Sequence, residues 1–281
     1  LEFTTRAAER SPDRVGNVLE FRGIVAHVHT LARTGSLPHA AAPERSPAWT
    51  PTLVGQGIGG RSMNSQRLPD NSMDHVVLAT PDVAETSAWI EQATGVTASY
   101  GGAHVGRGTF NRLCSFGNGV YLEIIGPDPD QPQPVEPRPF GIDSLRDAGV
   151  AAWCVRRSEL AELAARGSEF DAAFVGPVAM SRDAPEGLLS WQLLFVSADV
   201  EFGLIPFFID WGDSPHPSWV ASPGLELVGL RAGHPDPQRV LRLLLALDLT
   251  LEVTEGDRPG LTIDIVGPRG SLCVRPAAYD T

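Results

Sequence analysis

The chain has 281 residues and a mass of 30.0 kDa, with 42% apolar and 20% charged residues, an ordinary globular mixture long enough to bury a real core. The formal charge is −12, and every one of the 22 basic residues is arginine; an acidic surface repels phosphate backbones, which excludes nucleic acid as an expected partner. No run of about 18 uncharged apolar residues occurs, so neither a transmembrane helix nor a membrane partner is expected, and no signal peptide is read at the start.

Residues 1–72 differ from the rest. They carry eight arginines against six acids, while the remainder carries 14 against 28. Breakers crowd the segment, from Pro38, Pro43, Pro47 and Pro51 to Gly55, Gly57, Gly59 and Gly60. A disordered tail is expected, or a start-site artefact, since the chain opens on Leu1 and Met73 opens the first well-patterned strand; an arm that folds on a partner is the alternative.

Residues 73–79 alternate as a strand. Thr80 is placed to cap a helix over 81–94, with Pro81 at its first position and Gly95 as its stop. Strands are expected at 96–101, 109–116 and 119–125, the last two joined by the turn Gly117-Asn118-Gly119. The order β-α-β-β-β then recurs. A strand at 149–157 precedes a helix capped by Ser158, and strands follow at 172–180, 189–197 and 203–210. Asp82-Val83-Ala84-Glu85 reads like Glu159-Leu160-Ala161-Glu162, 77 positions on. A third copy starts at Leu225, with a helix over 237–248 and strands at 249–255, 260–266 and 271–275. Repetition of a unit that cannot close alone predicts side-by-side packing. The fold class expected is α+β, with tandem βαβββ modules forming curved, mostly antiparallel sheets around a cleft. The domains are then 73–220, a paired unit, and 221–281, a third and partial one. The proline-rich linker 127–148 is placed to lie over the cleft mouth. The three cysteines, Cys114, Cys154 and Cys273, sit singly in strand-like runs and read as reduced thiols of a cytoplasmic protein.

The stretches His75-Val-Val-Leu-Ala-Thr-Pro-Asp, Gly101-Gly-Ala-His104-Val-Gly-Arg107-Gly-Thr109-Phe-Asn111 and Tyr121-Leu-Glu123-Ile-Ile-Gly-Pro resemble the glyoxalase-like branch of the vicinal oxygen chelate superfamily. Phe207-Phe-Ile-Asp210-Trp-Gly-Asp-Ser-Pro-His216-Pro is similar to that branch's second signature. The likeness covers about residues 73–220. It implies a small-molecule enzyme of lyase, isomerase or oxygenase type, in which paired modules cup a divalent metal (Zn, Ni, Mn or Fe). The ligands carried over are His75 and Glu123, which are also the catalytic candidates. Module two departs from the pattern: Ala152 stands where His75 does and Phe207 where Glu123 does. Two protein ligands are too few for a tight site, so a metal-free His75–Glu123 acid–base couple is equally expected. The alternative function is a metal-free protein that binds or sequesters a small molecule in the same cleft.

The glycine-rich connection places His104, Arg107, Thr109 and Asn111 as substrate-binding candidates, with Arg107 suited to an anion. Trp191, Gln192, Asp210, Trp211 and His216 are expected to form an aromatic and polar wall from module two. Asp264 is read as structural, because it precedes its hairpin turn where Glu123 follows one. The expected partner is a small-molecule ligand, with a homodimer as a further expectation.

Overall fold

A computed structural model describes residues 72–166, 172–184, 187–197 and 203–280. The expectation for 1–72 therefore lies outside the described residues, Ser72 apart. Strand β1 (Met73–Ala79) is buried along its whole length. Helix α1 (Val83–Thr94) follows, and its cap is Asp82 rather than Thr80. The Asp82 carboxylate accepts from the backbone N–H groups of Ala84 and Glu85 at 2.8 and 2.9 Å, while the Thr80 hydroxyl turns to Thr86. Gly95 stops the helix with φ 81°, a left-handed conformation open to glycine. Val96 and Ala98 pack into the core before pairing begins, so β2 (Ser99–His104) starts later than the pattern suggested. Strands β3 (Thr109–Gly117) and β4 (Val120–Pro127) meet at the expected glycine turn.

The linker carries a 3-10 turn (Pro139–Ser144) and a short strand, β5 (Leu145–Asp147). The second unit is β6 (Gly149–Arg156), α2 (Leu160–Ala165), β7 (Ala173–Ala184), β8 (Gly187–Ser197) and β9 (Phe207–Asp210). Ser158 does not cap α2; Glu159 precedes it in a left-handed conformation and no side chain caps it. Strand β9 is shorter than expected because Gly203 and Leu204 form a turn, pinned by the Trp153 indole donating to the Leu204 carbonyl.

These strands form one sheet in the order β2-β3-β4-β1-β6-β9-β8-β7. In each unit the first strand runs parallel to the last, β1 to β4 and β6 to β9. The units join through the antiparallel pair β1–β6. The sheet curls until its ends approach, where Arg182 of β7 donates to the Gly101 carbonyl of β2. The architecture is thus mixed α+β with a strongly curled sheet and few helices.

The remaining strands are β10 (Glu226–His234), β11 (Glu252–Glu255), β12 (Gly260–Gly267) and β13 (Gly270–Val274), with helix α3 (Pro237–Ala246) after β10. The chain order matches the other units but the sheet order does not. It is β11-β10-β12-β13, with β10 parallel to the strand after its helix and antiparallel to the next. Strand β14 (Ala278–Tyr279) returns to pair with β5. No helix among the described residues is long and apolar enough to cross a membrane.

Period-two alternation sorts the sheet into two apolar cores. Val76, Leu78, Leu122 and Ile124 face one that also takes in Ile90 of α1 and Leu230, Ile263 and Ile265 of the last sheet. Val77, Ala79, Ile125, Phe195, Phe207 and Ile209 face the other, on the concave side.

Candidate functional site

The concave side holds a cleft of about 800 Å³ including its open mouth. Alternation decides what reaches it. Strand β3 contributes Thr109, Asn111 and Leu113, and β4 contributes Tyr121, Glu123 and Ile125. Strands β8 and β9 contribute Trp191, Leu193, Phe195, Phe207 and Ile209. Pro139 and Phe140 of the linker line it as well, so the linker does lie at the cleft.

His75 and Glu123 meet there. Their Nε2 and Oε2 atoms lie 3.6 Å apart, and both side chains are nearly buried. The His75 ring stacks on Tyr121, with centroids 4.8 Å apart, and meets Phe207 edge-on. Its other nitrogen, Nδ1, is 2.6 Å from Asp74 Oδ1. Successive strand residues ordinarily face opposite sides of a sheet. Here Met73 pairs with Val155 and His75 with Cys154, so Asp74 is an extra residue on β1, a bulge that lets both side chains turn to one side. Asp74 is fully buried. Its Oδ2 accepts from His216 Nε2 at 2.8 Å and the Trp211 indole at 3.1 Å, and pairs with Arg156 at 3.1 Å. Burial alone would raise its pKa, but the hydrogen bonds from His216 and His75, with their charges, hold it well below the usual aspartate value. A carboxylate on Nδ1 keeps the proton on that nitrogen and leaves Nε2 as the one that faces Glu123.

Glu123 is fixed from the other side. Asn111 Nδ2 donates to its Oε1 at 2.5 Å. His104 Nε2 lies 4.0 Å from the same oxygen, and its Nδ1 lies 3.0 Å from the Thr109 hydroxyl. The pKa of His104 is lowered, by burial first; Glu123 opposes this, while Arg182 and Arg107 add to it. His104 is therefore neutral near pH 7, a hydrogen-bonding group rather than a cation. Arg107 lines the cleft too, with its pKa lowered by burial against the opposing charge of Glu136.

Of the residues expected to touch a ligand, the cleft brings together His104, Arg107, Thr109, Asn111, Trp191 and Trp211 with His75 and Glu123. Gln192, Asp210 and His216 are not among its lining. Gln192 and Asp210 are cross-strand partners on β8 and β9 and alternate away from Trp191 and Ile209. The Asp210 carboxylate caps the following turn by accepting from the Gly212 N–H. His216 stands behind the wall. Its Nδ1 accepts from the Ser218 N–H, so its Nε2 carries the proton given to Asp74. Asp264 pairs with Arg231 on the last sheet, away from the cleft. Asp74 and Arg182 escaped the sequence reading. A bulge has no sequence signature here, and Arg182 sits in a polar stretch that reads as a turn.

The fold family implies a divalent metal, and the donor set can be tested for it. Among the described residues, three metal-ligating atoms within 4.8 Å of one another come together at Asp74, His75 and Cys154. That cluster fits an ion poorly. Asp74 is already saturated by His75, His216, Trp211 and Arg156, and Cys154 is fully buried among the apolar residues of the concave core. At the cleft itself His75, Glu123 and His104 offer three donors, but their ligating atoms do not all come within 4.8 Å of one another; the neighbouring strands supply Ala152 and Phe207, and Arg182 and Arg107 bring positive charge. The residues do not make a metal centre.

A family model described as a glyoxalase-like domain matches residues 73–247. No curated protein matches the chain. Among solved structures, a hypothetical protein from Staphylococcus aureus is 19% identical over 74% of this chain and 88% of its own, with a TM-score of 0.48. Methylmalonyl-CoA epimerase from Mycobacterium tuberculosis is 15% identical over 50% of this chain and 88% of its own, with a TM-score of 0.38. The Streptomyces coelicolor methylmalonyl-CoA epimerase (S115T), in complex with 2-nitronate-propionyl-CoA, is 13% identical over 50% and 95%, with a TM-score of 0.36. With the family match spanning more than half of the sequence, the chain belongs to the glyoxalase-like domain family of the vicinal oxygen chelate superfamily.

Proposed function

We infer that the protein is a small-molecule enzyme that moves a proton on an organic substrate by general acid–base chemistry at His75 and Glu123, without a metal. One observation carries this reading. An imidazole nitrogen and a carboxylate oxygen lie 3.6 Å apart at an apolar cleft, each held from behind by its own hydrogen bond. Held groups of this kind accelerate proton transfer because they need no reorganisation. His75 Nε2 takes the proton from a substrate carbon or hydroxyl. The imidazolium so formed is stabilised by Asp74 on its far side. Glu123, within reach of the same nitrogen, relays the proton back to a different atom or face of the substrate. Phe207, Phe195 and Ile125 hold an apolar body and keep water from the exchanging proton.

The same aromatic wall supports a second reading, a protein that sequesters a small molecule without turnover. Solvent exchange separates the two. A panel of small oxo acids and thioesters, incubated with chelator-treated protein in deuterium oxide and followed by NMR, should incorporate deuterium. Glu123→Gln and His75→Asn should each slow incorporation by about 100-fold or more. Exchange that is unchanged in both variants, or absent from every compound while ligands still bind, would overturn the enzyme reading; exchange that needs added metal would overturn the metal-free one.

A further inference from the structure

Arg182 is 6% exposed and lies in the cleft wall. A buried guanidinium normally has a carboxylate beside it, because an unpaired charge away from water is costly. Among the described residues Arg182 has no carboxylate within ion-pair distance, and its one hydrogen-bond acceptor is the carbonyl of Gly101. Glu123, the acid in the same cleft, is engaged by Asn111, His75 and His104 instead. A guanidinium has five N–H donors, and one carbonyl leaves most of them to the cleft.

The backbone makes room for this arrangement. A side-chain carbon added at Gly102 would collide with the Arg182 guanidinium, and one at Gly101 would collide with Asn111. The glycine pair in β2 thus lets the strand pass against both polar groups. Arg182 also acts electrically on the site: its charge helps to keep His104 neutral.

We propose that Arg182 is the anion anchor of the cleft and that the ligand is a small organic acid, with one carboxylate seated on Arg182 and an apolar body against Phe207, Phe195 and Leu193. This deepens the reading of the cleft as a proton-transfer site and names its substrate class. A carboxylate is the anion that fits. Its single charge matches that of Arg182, while Arg107, the other arginine of the lining, has the charge of Glu136 opposite it, and the carboxylate's planar edge takes a guanidinium fork two bonds at a time. Leu193, Phe195 and Phe207 on the same side of the cleft are hydrocarbon and supply no further donor for a phosphate dianion.

Binding can be read apart from turnover. Calorimetry on the full chain compares 3-phenylpropanoate with 3-phenylpropanamide, which share a body and differ in charge. The acid should bind about 10- to 100-fold more tightly than the amide. Arg182→Met should erase that preference and Arg182→Lys should keep part of it. Acid binding no tighter than amide binding, or binding of neither, overturns the proposal, and so does a preference that survives in a folded Arg182→Met protein. If Arg182→Met does not fold, the wild-type comparison and Arg182→Lys still decide. The two readings fail separately. Loss of the acid preference in Arg182→Met, with deuterium exchange insensitive to His75 and Glu123, keeps the anchor and sinks the proton transfer. The reverse pattern keeps the proton transfer and sinks the anchor.

Discussion

Asp74 touches no solvent, yet two histidines, an indole and an arginine converge on it. Buried behind the His75 ring and bonded to its Nδ1, it is placed to orient that ring. Asp74→Asn removes the charge but keeps the shape, leaving Arg156 and the two imidazoles facing a neutral amide. The cost expected is about 3 kcal/mol in urea unfolding, the scale for breaking a buried charged pair. The pH dependence follows from the same group. Its folded pKa is depressed below the ordinary 3.8, so the unfolded chain binds its proton first as the pH falls. The stabilisation is fully present above 3.8 and is lost progressively as the pH drops from there toward the folded value. Unfolding midpoints taken at pH 5, 4 and 3 should fall steeply in the wild type and much less in Asp74→Asn; parallel curves would contradict the assignment. What could be read in advance at this scale follows alternation. His75, Val77 and Ala79 share a face, as do Tyr121, Glu123 and Ile125, so the meeting of imidazole and carboxylate is written in the period of two. The bulge at Asp74 breaks that period by one residue, and no pattern in MDHVVLA announces it.

Elements follow from local chemistry where a cap or turn residue fixes them. Gly95 closes α1 and the Gly117–Gly119 turn joins β3 to β4, both at the places their residue types favour. The cap shifts from Thr80 to Asp82 because Asp82 reaches two free N–H groups, while the Thr80 hydroxyl finds Thr86. Asp82→Ala should therefore lower stability by about 1 kcal/mol, and Thr80→Val should not act through the cap; equal chevron shifts for the two would refute the distinction. Gln192 and Asp210 fall outside the cleft lining for a different reason. Both neighbour true lining positions in sequence, and only the strand phase separates them. Burial also ranks the three thiols. Burial pushes Cys114 up to about 12 and Cys154 well above its usual value; Cys273 is raised too, but it is the exposed thiol, on β13. N-ethylmaleimide should add one label to the native protein, at Cys273, and three after denaturation, as mass spectrometry would show; rapid native labelling of Cys114 or Cys154 would mean the sheet opens readily.

At the scale of the molecule, residues 225–274 repeat the chain order of the two cleft-forming units but not their strand order. The sequence pattern reads β-α-β-β-β three times and cannot tell which edge each strand will take. Strand β11 is four residues long and lies parallel beside β10, so β12 takes the other side and the sheet faces the convex surface instead of extending the curl. There it shares one core with the cleft units, Leu230, Ile263 and Ile265 packing in the same cluster as Ile90, Leu122 and Trp153. The backbone joins them as well, with the Arg269 N–H bonded to the Thr94 carbonyl at the end of α1. The far end of the chain reaches the cleft rim. Strand β14 pairs with β5, and the Tyr279 hydroxyl donates to the carbonyl of Phe140, a residue that lines the cleft. Two truncations separate these roles. Ending the chain before residue 225 strips the cover from a core whose members, Ile90 and Leu122 among them, are fully buried, and burial of each such side chain is worth about 2 kcal/mol. That piece should lose its cooperative melt by near-UV circular dichroism. Ending it after Val274 removes the β14 clasp and the two backbone hydrogen bonds that Arg275 and Ala277 make with Val150 of β6 but leaves the convex core covered, so a cooperative melt should persist at a lower midpoint while the affinity for 3-phenylpropanoate falls, because Pro139 and Phe140 lose their brace. A well-folded 72–224 fragment would show instead that the cleft units stand alone and that the last sheet is an accessory.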